Sequence, residues 1–290
     1  MPVTRNDVAR LAGVSSATVS YVINGGPRPV AAKTRAKVLE AIETLSYKPS
    51  ALARNLRLQR TTTLGLIVPD THNPYFAEDA RGVEDYAFEH GYRVVLCHSG
   101  YDLNREKEYI EALHTERAAG VIWIPATASV EPVQQLTRLK MPVVVLDRII
   151  NSEYAASVIT DNYGGGCLAT QELIKLGHRR IGCIARPELL SHSQERIRGY
   201  LATLSKNGLP ADDNLIAKGG FRLTNGRDAA NQLLDLNPRP TAIFAYNDIM
   251  AIGALRAAYE RGLRVPQDLS VVGFDDIPQA AFTCPALTTV

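Results

Sequence analysis

Residues Thr4–Asn24 read TRNDVARLAGVSSATVSYVIN, two short amphipathic patterns with a glycine between them. Val8, Leu11 and Ala12 fall at i, i+3 and i+4, and Val19, Val22 and Ile23 repeat that spacing, so each half offers one apolar face. Thr4 followed by Asp7 has the form of a capping box closed by a short acid, and Ser15 is placed to cap the second helix. Gly13 stands where a chain leaving a helix often needs positive φ. Two such helices joined by a glycine-containing turn predict a helix-turn-helix.

With Val19, Val22 and Ile23 turned inward, the outer face of the second helix carries Ser16, Ala17, Ser20, Tyr21 and Asn24, and no carboxylate. Such a surface can approach phosphate oxygens, and small side chains let a helix sit deep in a major groove. A helical hairpin with an ordinary polar outside fits the same pattern. Charge separates the two readings. Residues 1–60 hold ten Lys and Arg against three Asp and Glu, a net of +7, whereas the whole chain carries +2, which leaves −5 for residues 61–290. A basic head on a mildly acidic body is the electrostatic footprint of a nucleic-acid-binding module joined to something else.

Beyond the reader helix, Gly25 to Pro29 is a loop by composition. Val38, Ile42 and Leu45 predict a third helix from about Ala32 to Leu45, closing the small core. Its start offers Ala31 or Ala32 and therefore a weak cap, while Lys33 and Arg35 can meet phosphates or simply face solvent. Tyr47 to Ser50 breaks that helix. Ser50 to Leu58 has good helix formers and a serine cap but only about two turns, a length that is marginal alone in water. Being basic, it suits a segment that orders only when DNA and a twin helix pack against it; a plain linker is the other reading.

DVARLAGVSSATVSYVIN followed by TRAKVLEAIETLSYKPSALARNL resembles the DNA-binding head of the lac-repressor family of bacterial transcription regulators. The resemblance implies a dimer that sets two reader helices in successive major grooves of a pseudo-palindromic double-stranded operator. Ser16, Ala17 and Tyr21 are then the base-reading candidates, Tyr21 replacing an arginine frequent in relatives. Ser15, Thr18 and Asn24 would position against phosphates, and Thr4, Ser20 and Lys33 complete the expected contacts of the head. The two-turn segment corresponds to a hinge helix that enters the minor groove through Ala53, Arg54, Leu56 and Arg57, with Leu56 as the leucine wedge.

From Thr63 the periodicity changes. Apolar runs at Leu64–Val68, Arg93–Cys97, Gly120–Ile124, Pro142–Leu146, Arg180–Ala185, Thr241–Ala245 and Leu269–Gly273 alternate with helical patterns at Tyr75–Gly91, Arg105–Arg117, Tyr163–Leu176, Ser193–Asn207, Asn225–Leu236 and Asp248–Arg261. Near-unbroken hydrophobic strands alternating with helices predict parallel sheets covered on both faces. The expected organisation is an all-α helix-turn-helix head (1–46), a hinge (47–60) and an α/β two-lobed body with parallel sheets, its first lobe at 61–160 and its second at 161–290. The body resembles the periplasmic-binding-protein type of sugar sensor.

Ligands of open α/β sheets bind beyond the carboxyl ends of strands, so those ends are read chemically. They carry Asn73, Tyr75 and Phe76; Asp147 and Arg148; Asp161; Arg196 in the helix after the Arg180 strand; Asn247; and Asp275. Amides, carboxylates, guanidinium groups and rings at one topological position suit a polyhydroxylated or heterocyclic small molecule, although any one of them alone is commonly a helix cap. Asp147, Arg196, Asn247 and Asp275 also match family positions that contact effectors, and His192 and Phe221 complete the expected ligand set. The chain is also similar to the purine-repressor branch around TAIF, DIMA and LRVPQD. It has Leu190 and His192 where that branch places polar purine contacts, and its NPYF segment differs, so a sugar or sugar derivative is the expected effector, with other small metabolites as the alternative.

Several classes are disfavoured. Gly164-Gly165-Gly166 follows a strand but lacks GxGxxG spacing, and the chain has no GxxxxGK[ST], GxSxG or HExxH. Asp147, Asp161 and Asp275 can imitate a glycosidase pair, but sugar hydroxyls need acceptors too, and no enzymatic activity or cofactor is expected. A plain sugar-binding protein is the competing reading, and no apolar signal core supports export. No apolar run approaches the roughly 20 residues needed to cross a bilayer. The four cysteines, Cys97, Cys167, Cys183 and Cys284, are far apart and read as small buried hydrophobes in a reducing cytoplasm, where a nucleoid-associated regulator belongs. His178 reads as a surface turn. Residues 285–290 end on a strand-like stretch where family members usually continue, so a shortened chain with uncovered apolar surface on its first lobe is expected, as is a homodimer or tetramer in the full-length form.

Overall fold

The computed structural model describes residues 3–25, 29–48, 61–125, 129–147, 155–186 and 191–290, without the side chains of 191–193. The chain divides into two compact units, Met1–Arg60 and Thr61–Val290.

The first unit holds helices α1 (Arg5–Ala12), α2 (Ser16–Asn24) and α3 (Ala32–Thr44). Its termini follow from local chemistry. The Thr4 backbone N–H and hydroxyl both donate to Asp7 Oδ2, at 2.9 and 2.6 Å. Gly13 leaves α1 at φ 64°, and the Thr18 N–H donates to Ser15 Oγ at 3.1 Å to open α2. α3 begins at Ala31 without a side-chain cap bond, as its sequence foretells. Val8, Ala12, Val19, Val22, Val38 and Ala41 form the core. Two sequence expectations change here. Leu11 is 54% exposed and Ala9 takes its place inside, because α1 docks along its 8–9–12 edge and not along 8–11–12. Ser20 is only 8% exposed, since it lies on the flank of α2 next to the inward Val19, where it receives the Asn24 amide on its carbonyl at 3.2 Å.

The second unit has two wholly parallel sheets. In the first, β1 (Thr63–Val68), β2 (Arg93–His98), β3 (Gly120–Trp123), β4 (Val143–Leu146) and β5 (Ala155–Val158) run in the order β2-β1-β3-β4-β5. Leu66 faces Leu96 on one side and Ile122 on the other. Helices α4 (Pro74–Glu89), α5 (Leu103–Thr115) and α6 (Glu131–Arg138) connect these strands. In the second sheet, β6 (Ile181–Ala185), β7 (Ile216–Lys218), β8 (Ala242–Ala245) and β9 (Ser270–Val272) run in the order β7-β6-β8-β9, linked by α7 (Asn162–Lys175), α8 (Ser191–Lys206), α9 (Leu223–Leu234) and α10 (Asp248–Glu260).

Sequence periodicity misses three elements. β5 reads AASV at an exposed edge, β7 has three residues, and α6 has eight with a proline in its first turn, so none gives a hydrophobic run long enough to stand out. β2 is also an edge strand, and Val95 and Leu96 are exposed there.

Glycines set how closely the helices of the second lobe approach. A Cβ on Gly166 would overlap the carbonyl oxygen of Arg196, and one on Gly199 that of Tyr163, so α7 and α8 cross in backbone contact. Gly226 and Gly253 do the same for α9 and α10. In the Gly164-Gly165-Gly166 run, which lacks dinucleotide spacing, Gly166 thus serves helix packing, while Gly165 makes room for the Phe274 ring and Gly164 for the Asp161 carboxylate. His178, expected at a surface turn, ties strand beginnings instead: its ring nitrogens lie 2.9 Å from Thr241 Oγ1 and 3.0 Å from Ser270 Oγ. Near the C-terminus, Thr288 bridges Val272 in parallel, and the N–H of Gly273 donates to its carbonyl at 2.8 Å.

All four thiols are free; Cys97 and Cys183 are buried, but Cys284 is exposed, unlike the buried hydrophobe expected of it. Among the described residues, no helix is long and apolar enough to cross a membrane, and no cluster of His, Cys, Asp and Glu has the makings of a metal site.

Candidate ligand cleft and nucleic-acid interface

The carboxyl ends of the strands in both sheets converge on one cleft. β1 leads to Asn73, Tyr75 and Phe76, β4 to Asp147, β8 to Asn247 and β9 to Asp275, and all of these line it. Phe221 enters from the end of β7. Arg196 reaches in from α8.

Arg196, 6% exposed, is the most fully engaged of these side chains. Its Nε donates to Asn162 Oδ1 at 2.7 Å, and its Nη1 donates to the Tyr246 carbonyl at 2.7 Å and to Asp275 Oδ1 at 3.2 Å. The guanidinium carbon lies 3.5 Å from the centroid of Phe274 and 4.5 Å from that of Tyr246. A planar cation held by hydrogen bonds from two of its nitrogens and packed against two rings has a fixed orientation. The helix that carries it is set by Gly166, against which its own backbone rests.

Asp275 sits at φ 115° and Asp147 at φ 59°, both in the left-handed region that L side chains rarely adopt. Burial pushes the Asp275 carboxyl up to about 7, with Arg196 pulling the other way and Asp248 and Asp147 adding to the rise. Asp248, fully buried, holds the loop that carries Asp275: its Oδ2 accepts the Ile277 N–H at 2.9 Å and its Oδ1 the Thr289 hydroxyl at 2.6 Å. On the opposite wall, the Tyr75 hydroxyl donates to Asp147 Oδ2 at 3.4 Å, and burial followed by Asp147 raises the Tyr75 hydroxyl. Asp79, behind them on α4, is raised to about 6 by burial and then by Asp147.

Other expected ligand residues are spent locally. Asn73 Oδ1 accepts the Tyr75 N–H at 3.1 Å, and Asn247 Oδ1 the Met250 N–H at 3.0 Å, so both cap helices while lining the cleft. Phe76 packs mainly into the core with Leu66, Val68 and Ile124. Asp161 lines the adjoining pocket, which shares Tyr75, Arg196 and Asp275 with this cleft; its Oδ1 also caps α7 by accepting the Gly164 N–H at 2.8 Å, and its neighbour Asn162 supplies the acceptor for Arg196. Arg148 and Leu190 lie outside the described residues, as does the side chain of His192.

Sequence reading misses Tyr101, Arg186 and Tyr246. Each follows closely on a strand, β2, β6 and β8, so the strand-end rule reaches them once it is applied to every strand. Tyr101 and Phe221 stack across the cleft with centroids 4.0 Å apart. Burial pushes the Tyr101 hydroxyl up to about 12.

On the head, Ala17 and Asn24 are exposed and Ser16 and Tyr21 half-buried, leaving a stripe along α2 that is free of carboxylates. The Ser15 hydroxyl lies 2.9 Å from Thr18 Oγ1, so these two stand together at the N-terminus of α2, while Thr4 and Lys33 are exposed at the starts of α1 and α3. The hinge candidates Ala53, Arg54, Leu56 and Arg57 lie outside the described residues.

Comparison with known proteins gives two family matches, "Bacterial regulatory proteins, lacI family" over residues 4–50 and "Periplasmic binding proteins and sugar binding domain of LacI family" over residues 61–289. Among curated relatives, the HTH-type transcriptional repressor PurR of Aliivibrio salmonicida is 38% identical over 99% of this chain and 86% of its own length. The ribose operon repressor of Escherichia coli K12 is 41% identical over 99% of this chain and 87% of its own. Among solved structures, the lac repressor dimer bound to operator and the anti-inducer ONPF superimposes with a TM-score of 0.85 at 30% identity, covering all of this chain and 87% of that one.

Proposed function

The chain belongs to the lacI family of bacterial regulatory proteins, and from that premise we propose that it reads an operator through α2 and is set by a sugar or sugar derivative held between the two sheets of its body. It is a DNA-binding transcriptional repressor under the control of a small-molecule effector. The finer parts of this reading concern residues, effector and assembly.

Two copies place their α2 helices in successive major grooves. Ala17 and Tyr21 meet base edges together with Ser16; Asn24, Ser15 and Thr18 meet the backbone. Ser20, packed inward, supports Asn24 from the flank of the helix. The paired segment around Leu56 enters the minor groove between them, and the assembly is a homodimer or a tetramer built from two such dimers. The protein works in the cytoplasm and catalyses no reaction.

The observation that carries the effector reading is the Arg196–Asp275 pair at 3.2 Å, fixed by rings and backbone at the meeting point of the strand ends. A guanidinium and a carboxylate with spare lone pairs and protons match vicinal hydroxyls, which both donate and accept. Closing the lobes on such a ligand changes how the two heads are spaced, and by linkage operator binding changes effector affinity by the same factor. The PurR relative keeps a nucleobase as the competing effector. Thermal-shift screening of sugars and nucleobases, followed by operator binding with and without each hit, tests the proposal. Hits among the sugars that alter operator affinity support it; hits confined to nucleobases replace the effector class.

A further inference from the structure

We propose that Arg186 makes the cleft selective for an effector that carries an oxyanion, a carboxylate or phosphate on the sugar, a reading that rests on the interlobe effector site proposed above. Arg186 follows β6 directly and lines the cleft. It is 8% exposed, yet its Nε and Nη2 have no hydrogen-bond partner among the described residues. These two atoms are the side-on edge of the guanidinium, the edge whose parallel N–H bonds match two oxygens of a carboxylate or phosphate. Its face is taken up separately: the guanidinium carbon lies 4.4 Å from the centroid of Phe221 and 5.5 Å from that of Tyr101.

The contrast with Arg196 gives the argument its force. Two guanidinium groups share one cleft; Arg196 has a carboxylate, an amide oxygen and a carbonyl, and Arg186 has rings alone among the described residues. Rings attract a cation but accept no directed hydrogen bond at its edge, so the desolvated edge remains uncompensated. A neutral hydroxyl would satisfy one donor and leave the charge. An oxyanion satisfies both donors and neutralises it. The acidic side chains of the cleft are already engaged elsewhere, Asp275 with Arg196 and Asp147 with Tyr75. Both donor atoms are themselves buried from solvent, so water does not compensate them either.

The test is calorimetric titration of the 290-residue protein with neutral sugars and their anionic forms at matched ionic strength: glucose against glucuronate and glucose 6-phosphate, ribose against ribose 5-phosphate, and inorganic phosphate alone. At least one anionic sugar is expected to bind about tenfold or more tightly than its neutral parent, and the uronate and phosphate arms tell which oxyanion is held. Arg186→Gln should erase that preference, and Arg186→Lys, which keeps the charge but lacks the forked edge, should reduce it; the melting temperature of each free variant reports whether it folds. A preference that survives in a folded R186Q overturns the inference. If neutral sugars bind in an Arg196-dependent way and no anionic form binds better, the oxyanion reading fails and the effector site stands. If no sugar of either kind shows Arg196-dependent binding, both fall.

Discussion

The ring of Tyr101, carried by the first sheet of the body, lies stacked on that of Phe221, carried by the second, with centroids 4.0 Å apart and planes 21° from parallel. The contact joins the two lobes at the mouth of the cleft, so it stabilises the closed arrangement whichever ligand is inside. An aromatic pair of this kind contributes about 0.5–1.5 kcal/mol beyond burial. Tyr101→Ala should therefore weaken effector binding roughly three- to tenfold and shift operator binding of the effector-free protein in the direction opposite to that caused by the effector. Calorimetry paired with an operator titration checks both halves.

Arg196→Met removes the partner of a carboxyl buried to 5% side-chain exposure. Because that carboxyl already stands at about 7, it takes up a proton once the guanidinium is gone, and the cost is about 1–3 kcal/mol for the buried polar groups left unpaired. The variant should lose effector response by at least about a hundredfold, and Arg196→Met with Asp275→Leu should recover stability but not response. Thermal melting and operator release, measured on the same samples, separate the two effects.

The Asp275 carboxyl, at about 7, titrates where the protein works. Its ionised form accepts a ligand hydroxyl proton, so affinity for a neutral sugar should rise about tenfold from pH 6 to pH 8 and then level off. Stability of the free protein runs the opposite way. A carboxyl raised in the folded state holds its proton there while the unfolded chain has lost it, so stability falls as pH rises from about 4 towards 7. Asp275→Asn should flatten both profiles; an unchanged slope in that variant would assign the titration to another group.

Gly199→Ala should destabilise the protein by about 1–3 kcal/mol, the cost of overpacking, because the added Cβ meets the carbonyl of Tyr163 where α7 and α8 cross. The shift should appear in urea midpoints with an unchanged slope. Gly208→Ala, at φ 68° in open space, should show only the smaller backbone cost of a positive φ.

On the head, Tyr21→Ala should change which operator sequences are preferred, by about 1–3 kcal/mol at one or two base positions. Lys33→Ala should weaken every duplex alike and lower the salt slope by about one counterion. Equal losses on all operators in both variants would reject the division between reading and gripping.

Local chemistry explains how much of the molecule is legible in the chain. Thr4 with Asp7, Gly13 and Ser15 announce the helix-turn-helix because each acts within three residues of itself. Periodicity cannot decide between Leu11 and Ala9, which lie on adjacent edges of one short helix and are sorted only by the docking of α2 and α3. Asp161 reads as a ligand for the reason that Asn73 and Asn247 do: a polar residue at a strand end and a helix cap occupy the same sequence position, and only geometry tells which cap also lines the cleft. Arg186 is harder still. Its meaning lies in what fails to touch it, and a sequence records no missing contacts.

The crossing of α7 and α8 through Gly166 and Gly199 has a consequence for how this receptor can diversify. Arg196 is anchored to the architecture itself, while Tyr101, Arg186 and Phe221 ride on short connections after β2, β6 and β7. Descendants of this chain can acquire a taste for new metabolites by exchanging three loop positions, leaving the lever that answers to them untouched.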